Sequence, residues 1–202
     1  MDRLSNRLRA SLAASLILAA LPGLARADDS VRRIVTGLDA SGRSVALFDS
    51  ELPLKAQAPG RPKSVNLWAT FQSPANLSST DAVLMMPPRL PPPDDGTKFQ
   101  IAEFPPTTAA QDAKLPIDTM MKVVGNLVPK KGRPPRDPAM HRTRTVDYAI
   151  VLSGEMDMLL DDSTIHVKAG DVIIQQATNH AWVNHGTQPC RIMFVLMDSK
   201  EP

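Results

Sequence analysis

The 202-residue sequence contains a single cysteine, Cys190, so no intrachain disulfide can form even in an oxidising compartment. Cys190 begins an apolar run over residues 190–197 in which alternate side chains share one face of a strand. This setting predicts a buried strand residue and not a reactive thiol. Aromatic residues are also scarce, at 4% of the chain, and none is interleaved with a basic run. A nucleic-acid-binding surface is therefore not expected.

No hydrophobic run is long enough to span a bilayer comfortably, since the N-terminal one covers only residues 12–21. Three arginines precede this run, Pro22 and Gly23 end it, and residues 25–27 read Ala-Arg-Ala. This order of features is typical of a secretory signal peptide, with an amphipathic N-terminal helix as the alternative. We expect cleavage near Ala27 and a secreted or periplasmic mature chain without a membrane span.

The net charge is small. Of the 23 basic and 21 acidic side chains, four arginines and one aspartate lie in residues 1–27, which leaves 19 basic against 20 acidic in the mature chain. The basic cluster at residues 130–136 is interrupted by prolines and is expected to be a solvated loop, with an anionic ligand or partner as the minority interpretation.

Helical periodicity is scarce, and short apolar runs bounded by turn residues dominate, which indicates an all-β domain. Residues 39–42 have the composition of a hairpin turn, and residues 87–93 contain five prolines and should form an extended loop. Strands this short and regular suit a single jelly-roll barrel. We expect a signal peptide over residues 1–27, an N-terminal strand extension with proline-rich loops over 28–119 and a barrel core over 120–202. The predicted strands cover residues 32–36, 44–48, 64–71, 98–104, 120–127, 148–152, 155–160, 164–167, 171–175 and 191–197.

Two sets of polar residues lie in strand-like runs of the C-terminal half. His141, Thr143 and Asp147 have the same parity and should face one side of a strand, while Arg142 and Arg144 alternate with them and should face outward. His180 and Asn184 share a parity with Trp182 on a second strand. Two histidines and a carboxylate that converge inside a small barrel would form a metal site with open coordination positions.

These two segments resemble the motifs of the cupin superfamily, which are small β-barrels that usually hold one metal. The first motif is His-x-His, three or four residues, Glu, six residues, Gly; here His141, Thr143, Asp147 and Gly154 stand at that spacing. The second motif ends in Pro-x-Gly, two residues, His, three residues, Asn; here Gln175 and Ala177 stand before His180 and Asn184. The segments HRTRTVDY and QQATNHAWVN are similar to those of a bacterial and fungal cupin subgroup that has the same threonine and aspartate.

The resemblance implies a cupin barrel with a divalent metal, for which Fe, Mn, Zn and Ni are all candidates. The expected ligands are His141, Asp147 and His180, beside a small-molecule pocket formed by Thr143, Gln175, Trp182 and Asn184. Trp182 is also a candidate for simple core packing, and Asn184 for support of the strand end. Cupins include oxygenases, decarboxylases and isomerases, so a metal-dependent enzyme on a small organic substrate is one expectation. A non-catalytic ligand-binding or structural cupin with a degenerate metal site is the other, because Thr143 replaces a histidine.

The last apolar run also bears on assembly. Residues 190–197 are apolar on both faces, and a strand of a single barrel needs only one apolar face. The second face must be covered by the N-terminal strands or by another subunit, and we expect a homodimer.

Overall fold

The structure is a computed structural model that describes residues 29–56, 62–86, 90–107, 136–137 and 139–200. The predicted signal peptide, the predicted strand at 120–127, the basic residues 130–133 and the predicted domain boundary at 119/120 lie outside these residues. Among the described residues there is no α-helix, and none of their helices is long and apolar enough to cross a membrane.

Short strands account for nearly all of the regular structure. A 3-10 helix over Ala82–Met85 is the exception, and the Asp81 side chain caps it by accepting from the Val83 amide. The strands are β1 Ser30–Leu38, β2 Ser44–Pro53, β3 Lys55–Ala56, β4 Lys63–Thr70, β5 Thr97–Phe104, β6 Thr145–Ser153, β7 Glu155–Leu159, β8 Thr164–Lys168, β9 Val172–Gln176, β10 Ala181–Val183 and β11 Cys190–Asp198.

The strands form three antiparallel sheets. The largest has six strands in the order β3-β4-β5-β11-β6-β9, and a three-stranded sheet has the order β10-β7-β8. The hairpin β1-β2 is separate, and the Asp39 carboxylate holds its turn by accepting from the backbone amides of Ser41 and Arg43. Strand order jumps along the six-stranded sheet, as it does in jelly rolls.

The main core lies on the inner face of the six-stranded sheet. Alternate residues of β11 are fully or nearly buried, and they pack with alternate residues of β6 and with side chains from β5, β7 and β8. Cys190 is completely buried in this cluster, which confirms the prediction from its sequence setting. Burial, with Glu155 adding to it, raises the pKa of the Cys190 thiol to about 11. The buried members are Ala102, Ala149, Val151, Met156, Val167, Cys190, Ile192, Phe194 and Leu196.

The outer face of the same sheet is covered on one side by the N-terminal strands. Leu54, Leu67 and Ile101 form a second buried cluster, and Val31 and Leu52 of the hairpin pack against it together with Met193 of β11. Arg33 fastens the hairpin, because its buried guanidinium donates to the Asp81 carboxylate and to the Leu67 carbonyl. The second apolar face of β11 is thus partly covered within the chain.

The all-β jelly-roll prediction is confirmed, and strands β4 and β5 extend the sheet as expected. A fully closed barrel is not seen in the described strands, because no ladder joins β9 to β8 or β10 to β3. The homodimer stays a prediction. The side of the outer face away from the hairpin keeps exposed apolar residues on β6 and β9, namely Tyr148, Leu152, Val172 and Ile174.

Candidate functional site

Two histidines meet where the six-stranded and three-stranded sheets approach each other. His141 precedes β6 and His180 precedes β10, and the two residues exchange both backbone hydrogen bonds at 2.9 Å in an isolated antiparallel bridge. Their imidazole ring centroids are 4.3 Å apart, with the ring planes at 53°. The backbone bridge therefore brings the two imidazole rings next to each other.

Both imidazoles are held in the same way by backbone carbonyls. Nδ1 of His141 lies 2.9 Å from the Ala139 carbonyl oxygen, and Nδ1 of His180 lies 2.9 Å from the Thr178 carbonyl oxygen. A carbonyl only accepts, so Nδ1 of His141 carries the hydrogen in this arrangement and its Nε2 carries a lone pair. Burial lowers the pKa of His141, and burial together with His141 lowers the pKa of His180 to about 3. Both rings are neutral at pH 7.

Asp147 lies on the inner face of β6 in an environment that disfavours its charge. Burial raises the pKa of its carboxyl to about 6, although a hydrogen bond from Thr145 opposes that shift. Oδ1 of Asp147 is buried without a hydrogen-bond partner. A buried carboxylate oxygen without a partner is costly, so it marks a place where a ligand, an ion or a proton is accepted.

A chain of hydroxyls leads to Asp147. The Thr143 and Thr145 hydroxyl oxygens are 2.6 Å apart, and both side chains are buried. Either hydroxyl can donate to the other, and a hydrogen bond from Thr145 lowers the pKa of the Asp147 carboxyl against the effect of burial. Thr145 was not among the predicted site residues, although it shares the parity of Thr143 and Asp147.

Gln175 connects Asp147 to the histidines. It is the direct cross-strand neighbour of Asp147 in the β6-β9 ladder, and its amide nitrogen lies 2.7 Å from Nδ1 and 3.1 Å from Nε2 of His180. An amide nitrogen only donates, so the 2.7 Å contact requires Nδ1 of His180 to accept, whereas the contact of Nδ1 with the Thr178 carbonyl requires it to donate. Gln175 is therefore placed beside His180, and its role as a pocket residue stays a prediction.

Trp182 separates this polar region from the apolar core. Its ring centroid is 6.2 Å from that of His180 on one side, and 5.9 and 6.2 Å from those of Phe194 and Phe104 on the other. The ring is only partly buried. Core packing, which the sequence favoured, accounts for two of these contacts, and the third makes Trp182 an apolar wall of the histidine site.

Asn184 lies away from the histidines, in the turn that follows β10. Its amide nitrogen donates to the carbonyls of Phe104 and Gln188, and its side-chain oxygen accepts from the Gly186 amide. Both amide N–H groups are used by the backbone. This geometry matches the strand-end support that was weighed against a pocket role.

The predicted ligand set is brought together only in part. His141 and His180 are adjacent, but no group of three His, Cys, Asp or Glu side chains in the described segments stands close enough to hold a metal. The set of His141, Asp147 and His180 stays a prediction. The expectation for Arg142 was wrong, since its side chain is buried; Arg144 is half-buried and pairs with Asp198 at 2.9 Å.

Comparisons with known proteins identify the family of the chain. The model described as "Cupin domain" matches residues 127–196. Phomopsin biosynthesis cluster protein C' of Diaporthe leptostromiformis is 32% identical over 173 residues, which are 83% of this chain and 78% of that protein. The chain belongs to the cupin superfamily.

Cupin-domain-containing oxidoreductase srdD of Neurospora crassa is 44% identical over 66 residues, which are 31% of this chain and 34% of that protein. The Schizosaccharomyces pombe Cnp3 cupin domain has a TM-score of 0.42 at 13% identity and covers 85% of this chain and 88% of its own.

Two positions of the cupin motifs have a backbone with a positive φ. Gly154 has φ of 73°, and a Cβ there would collide with the Pro189 carbonyl, so this motif position requires glycine. Ala177 also has a positive φ, of 49°, where the motif has glycine. This chain therefore keeps the backbone of a cupin motif with a residue that is strained in it.

Proposed function

We propose that this cupin is an enzyme that acts on a small organic substrate at a divalent metal bound by His141 and His180. The observation that supports the proposal is the backbone bridge that holds the two imidazole rings side by side, with Nδ1 of His141 donating to the Ala139 carbonyl. Metal-binding histidines commonly donate their second ring nitrogen in this way, which leaves the first as a ligand. Two neutral rings 4.3 Å apart fit a shared ion.

Asp147 is the proposed third ligand or the proposed base. Its buried Oδ1 has no hydrogen-bond partner, and Asp is a shorter side chain than the glutamate of the motif. The Gln175 amide nitrogen lies 2.7 Å from Nδ1 and 3.1 Å from Nε2 of His180, so Gln175 must turn when an ion binds to that ring. Imidazole and carboxylate ligands suit Fe, Mn, Zn and Ni, and such an ion would polarise a substrate oxygen and leave positions open for substrate.

The residues around the histidines have separate roles in this proposal. A carboxyl with a pKa of about 6 is mostly ionised at pH 7 and is basic enough to accept a proton from the substrate. The Thr143–Thr145 hydroxyl chain orients that carboxylate. Trp182 excludes water from one side of the site and offers an apolar surface to the substrate carbon skeleton.

An oxidoreductase reaction is the proposed class, ahead of decarboxylation and isomerisation. The name of srdD is that of a cupin-domain oxidoreductase, and the Diaporthe relative is named for a biosynthesis cluster. A secreted or periplasmic location and a homodimer belong to the same proposal. A non-catalytic ligand-binding cupin is the alternative, favoured by Thr143 at a ligand position of the motif.

Metal analysis of the purified protein tests this proposal. We expect close to one first-row metal ion per chain by mass spectrometry, and thermal stabilisation when the ion is returned to chelator-treated protein. His180→Ala should abolish metal uptake, whereas Thr143→Ala should leave most of it, because a hydroxyl is a weak ligand. Thr143→His should tighten binding by adding a third imidazole.

His166→Ala is the matched control, since His166 is exposed on β8 and pairs with Asp157. It should retain full metal content. Wild-type protein that takes up no metal, or His180→Ala protein that takes up as much as wild type, would reject the metal-dependent enzyme in favour of the non-catalytic alternative.

A further inference from the structure

The hydrogen bonds around the Gln175 amide compete with one another. Its nitrogen, which only donates, lies 2.7 Å from Nδ1 of His180, and the Thr178 carbonyl oxygen, which only accepts, lies 2.9 Å from the same Nδ1. With or without a hydrogen on Nδ1, one of these two contacts is unfavourable. The Thr178 carbonyl is fixed in the backbone two residues before the ring, as the Ala139 carbonyl is for His141. The side chain of Gln175 can turn, so its contact with His180 is the one that is weakly held.

An unused acceptor for the amide lies on the neighbouring strand. Asp147 is the direct cross-strand partner of Gln175, and both side chains are buried. Directly paired side chains of an antiparallel ladder have their Cβ atoms about 4.5–5.5 Å apart on the same face, which is within reach of a glutamine amide. Oδ1 of Asp147 is buried and has no hydrogen-bond partner among the described residues. An amide nitrogen that donates to it would form a charge-assisted hydrogen bond and offset the cost of burying the carboxylate.

A half-turn of the Gln175 amide resolves both problems at once. The amide oxygen and nitrogen are of similar size, so their exchange needs little extra space. With the oxygen towards His180, the Nδ1–H group can donate to the Thr178 carbonyl and to the amide oxygen together. The half-turn also replaces the N–H group that lies 3.1 Å from Nε2 of His180 by an acceptor, so no donor uses the Nε2 lone pair. The amide nitrogen is then free to donate to Oδ1 of Asp147.

We propose that Gln175 is a positioning residue whose amide makes this half-turn when an ion binds to His180, so that it links the Asp147 carboxylate to Nδ1 of that histidine. The assignment rests on the proposed function, and it makes Asp147 a residue that acts through Gln175 and not a ligand. A carboxylate that accepts from the amide nitrogen makes the amide oxygen a stronger acceptor. An acceptor at the second ring nitrogen orients a metal-binding histidine. The cupin motif has proline at position 175, which can form neither bond, so this link is a feature of the present chain.

Nuclear magnetic resonance of the chelator-treated full chain, before and after saturation with zinc, observes the turn directly. The side-chain amide signal of Gln175 is identified by its absence in Gln175→Met. Without zinc, we expect nuclear Overhauser contacts from the amide hydrogens to the His180 ring. With zinc, contacts to the β-hydrogens of Asp147 should replace them. An amide that keeps its contacts to the ring in zinc-loaded protein would overturn the inference, and this measurement needs no variant that binds zinc.

Zinc affinity, measured by calorimetric titration, tests what the link contributes. Gln175→Met keeps the length of the side chain but removes its donor and acceptor, and it should weaken zinc binding at least about tenfold, the effect of one charge-assisted hydrogen bond. Gln176→Met is the matched control, because Gln176 is the next residue of β9 and is exposed on the other face; it should bind zinc as wild type does. Binding to Gln175→Met as tight as to wild type, or tighter, would show that Gln175 only obstructs the ring.

The same change in an Asp147→Asn background distinguishes action through Asp147 from simple filling of space. Gln175→Met should weaken zinc binding much less there, because the charged acceptor is already absent. An equal loss in both backgrounds would overturn the inference. So would loss of all zinc binding in Asp147→Asn alone, since the carboxylate would then be held by the ion.

Zinc binding by the wild type separates this inference from the proposed function. Wild-type protein that binds no zinc would reject both. Wild-type protein that binds zinc while the Gln175 amide stays on the His180 ring would reject the inference alone and leave the metal-dependent enzyme in place.

Discussion

The two ends of the inner face differ sharply in chemistry although the same strands build both. Towards the start of β6 the inward side chains are polar, and they include Thr145, Asp147 and their neighbour Gln175. Towards the end of β6 they are apolar, with Val151 packed beside Ile192 and Met156. One end of the sheet therefore packs the apolar core, and the other end carries the buried polar side chains. The register of β6 against β11 determines which residues lie at each end.

The difference shows how a small barrel can contain buried polar groups. The apolar end supplies the hydrophobic stabilisation, and the polar end contributes little or opposes folding, since Asp147 carries an unpartnered oxygen and His180 a strongly lowered pKa. Substitutions at the two ends should therefore separate stability from ligand binding.

The largest stability effect is expected at the apolar end. Ile192→Ala removes a fully buried side chain from the centre of the core and should lower the free energy of unfolding by about 2–5 kcal/mol. Urea unfolding followed by circular dichroism measures it. If the variant does not fold, Ile192→Val should cost about 0.5–1.5 kcal/mol.

Metal content should not change in the Ile192 variants that fold. A loss of metal content as large as that in His180→Ala would mean that the two ends are not independent.

A smaller, pH-dependent effect is expected at Asp147. Its pKa rises from 3.8 in the unfolded chain to about 6 in the fold, so the folded state binds the proton more tightly. Stability from this group is present below pH 4 and is lost as the pH rises through 6. In metal-free protein Asp147→Asn should therefore be stabilised relative to wild type at pH 8 by up to about 3 kcal/mol, and by much less at pH 4.

His180 acts in the opposite direction, because its folded pKa is lowered to about 3 and its contribution is lost as the pH falls. The effect of Asp147 is therefore the difference in the free energy of unfolding between Asp147→Asn and wild type at the same pH. Urea unfolding at pH 4, 6 and 8 measures this difference. An equal difference at all three values would show that the carboxyl is not desolvated.

The sequence was sufficient for the all-β jelly-roll fold, but not for the way its sheets remain open in the described strands. Strand alternation predicted most strands of the described fold, and Thr143, Asp147 and His180, which parity predicted to face inward, are buried. Strand alternation predicts the facing of these side chains because, at that end of the sheet, only one of the two faces points into the interior.

Alternation does not show which face of a strand leads inward where both faces are covered. In β5, Phe99 and Ile101 pack with the cluster that the hairpin joins, while Lys98 and Gln100 are buried on the opposite face. Such coverage comes from residues far away in sequence, which no local pattern reports. Thr145 is different, because strand alternation already places it on the same face as Thr143 and Asp147. It was not among the predicted site residues because its side chain is small.

The smallest expected effect is at Ala177, in the turn that leads from β9 to His180. An alanine with φ of 49° is strained by its Cβ, and the cupin motif has glycine at this position. Ala177→Gly should relieve the strain, offset in part by the greater freedom of glycine in the unfolded chain, and should stabilise the protein by about 0.5–1 kcal/mol. Ala169→Gly is the matched control, since Ala169 is an exposed turn residue outside the positive-φ region, and it should be neutral or destabilising. Thermal unfolding of the three proteins measures the effect. A destabilised Ala177→Gly would show that the side chain at 177 contributes packing that outweighs the strain. A stabilised variant with unchanged metal content would show that the backbone strain before His180 is not needed to position the histidine.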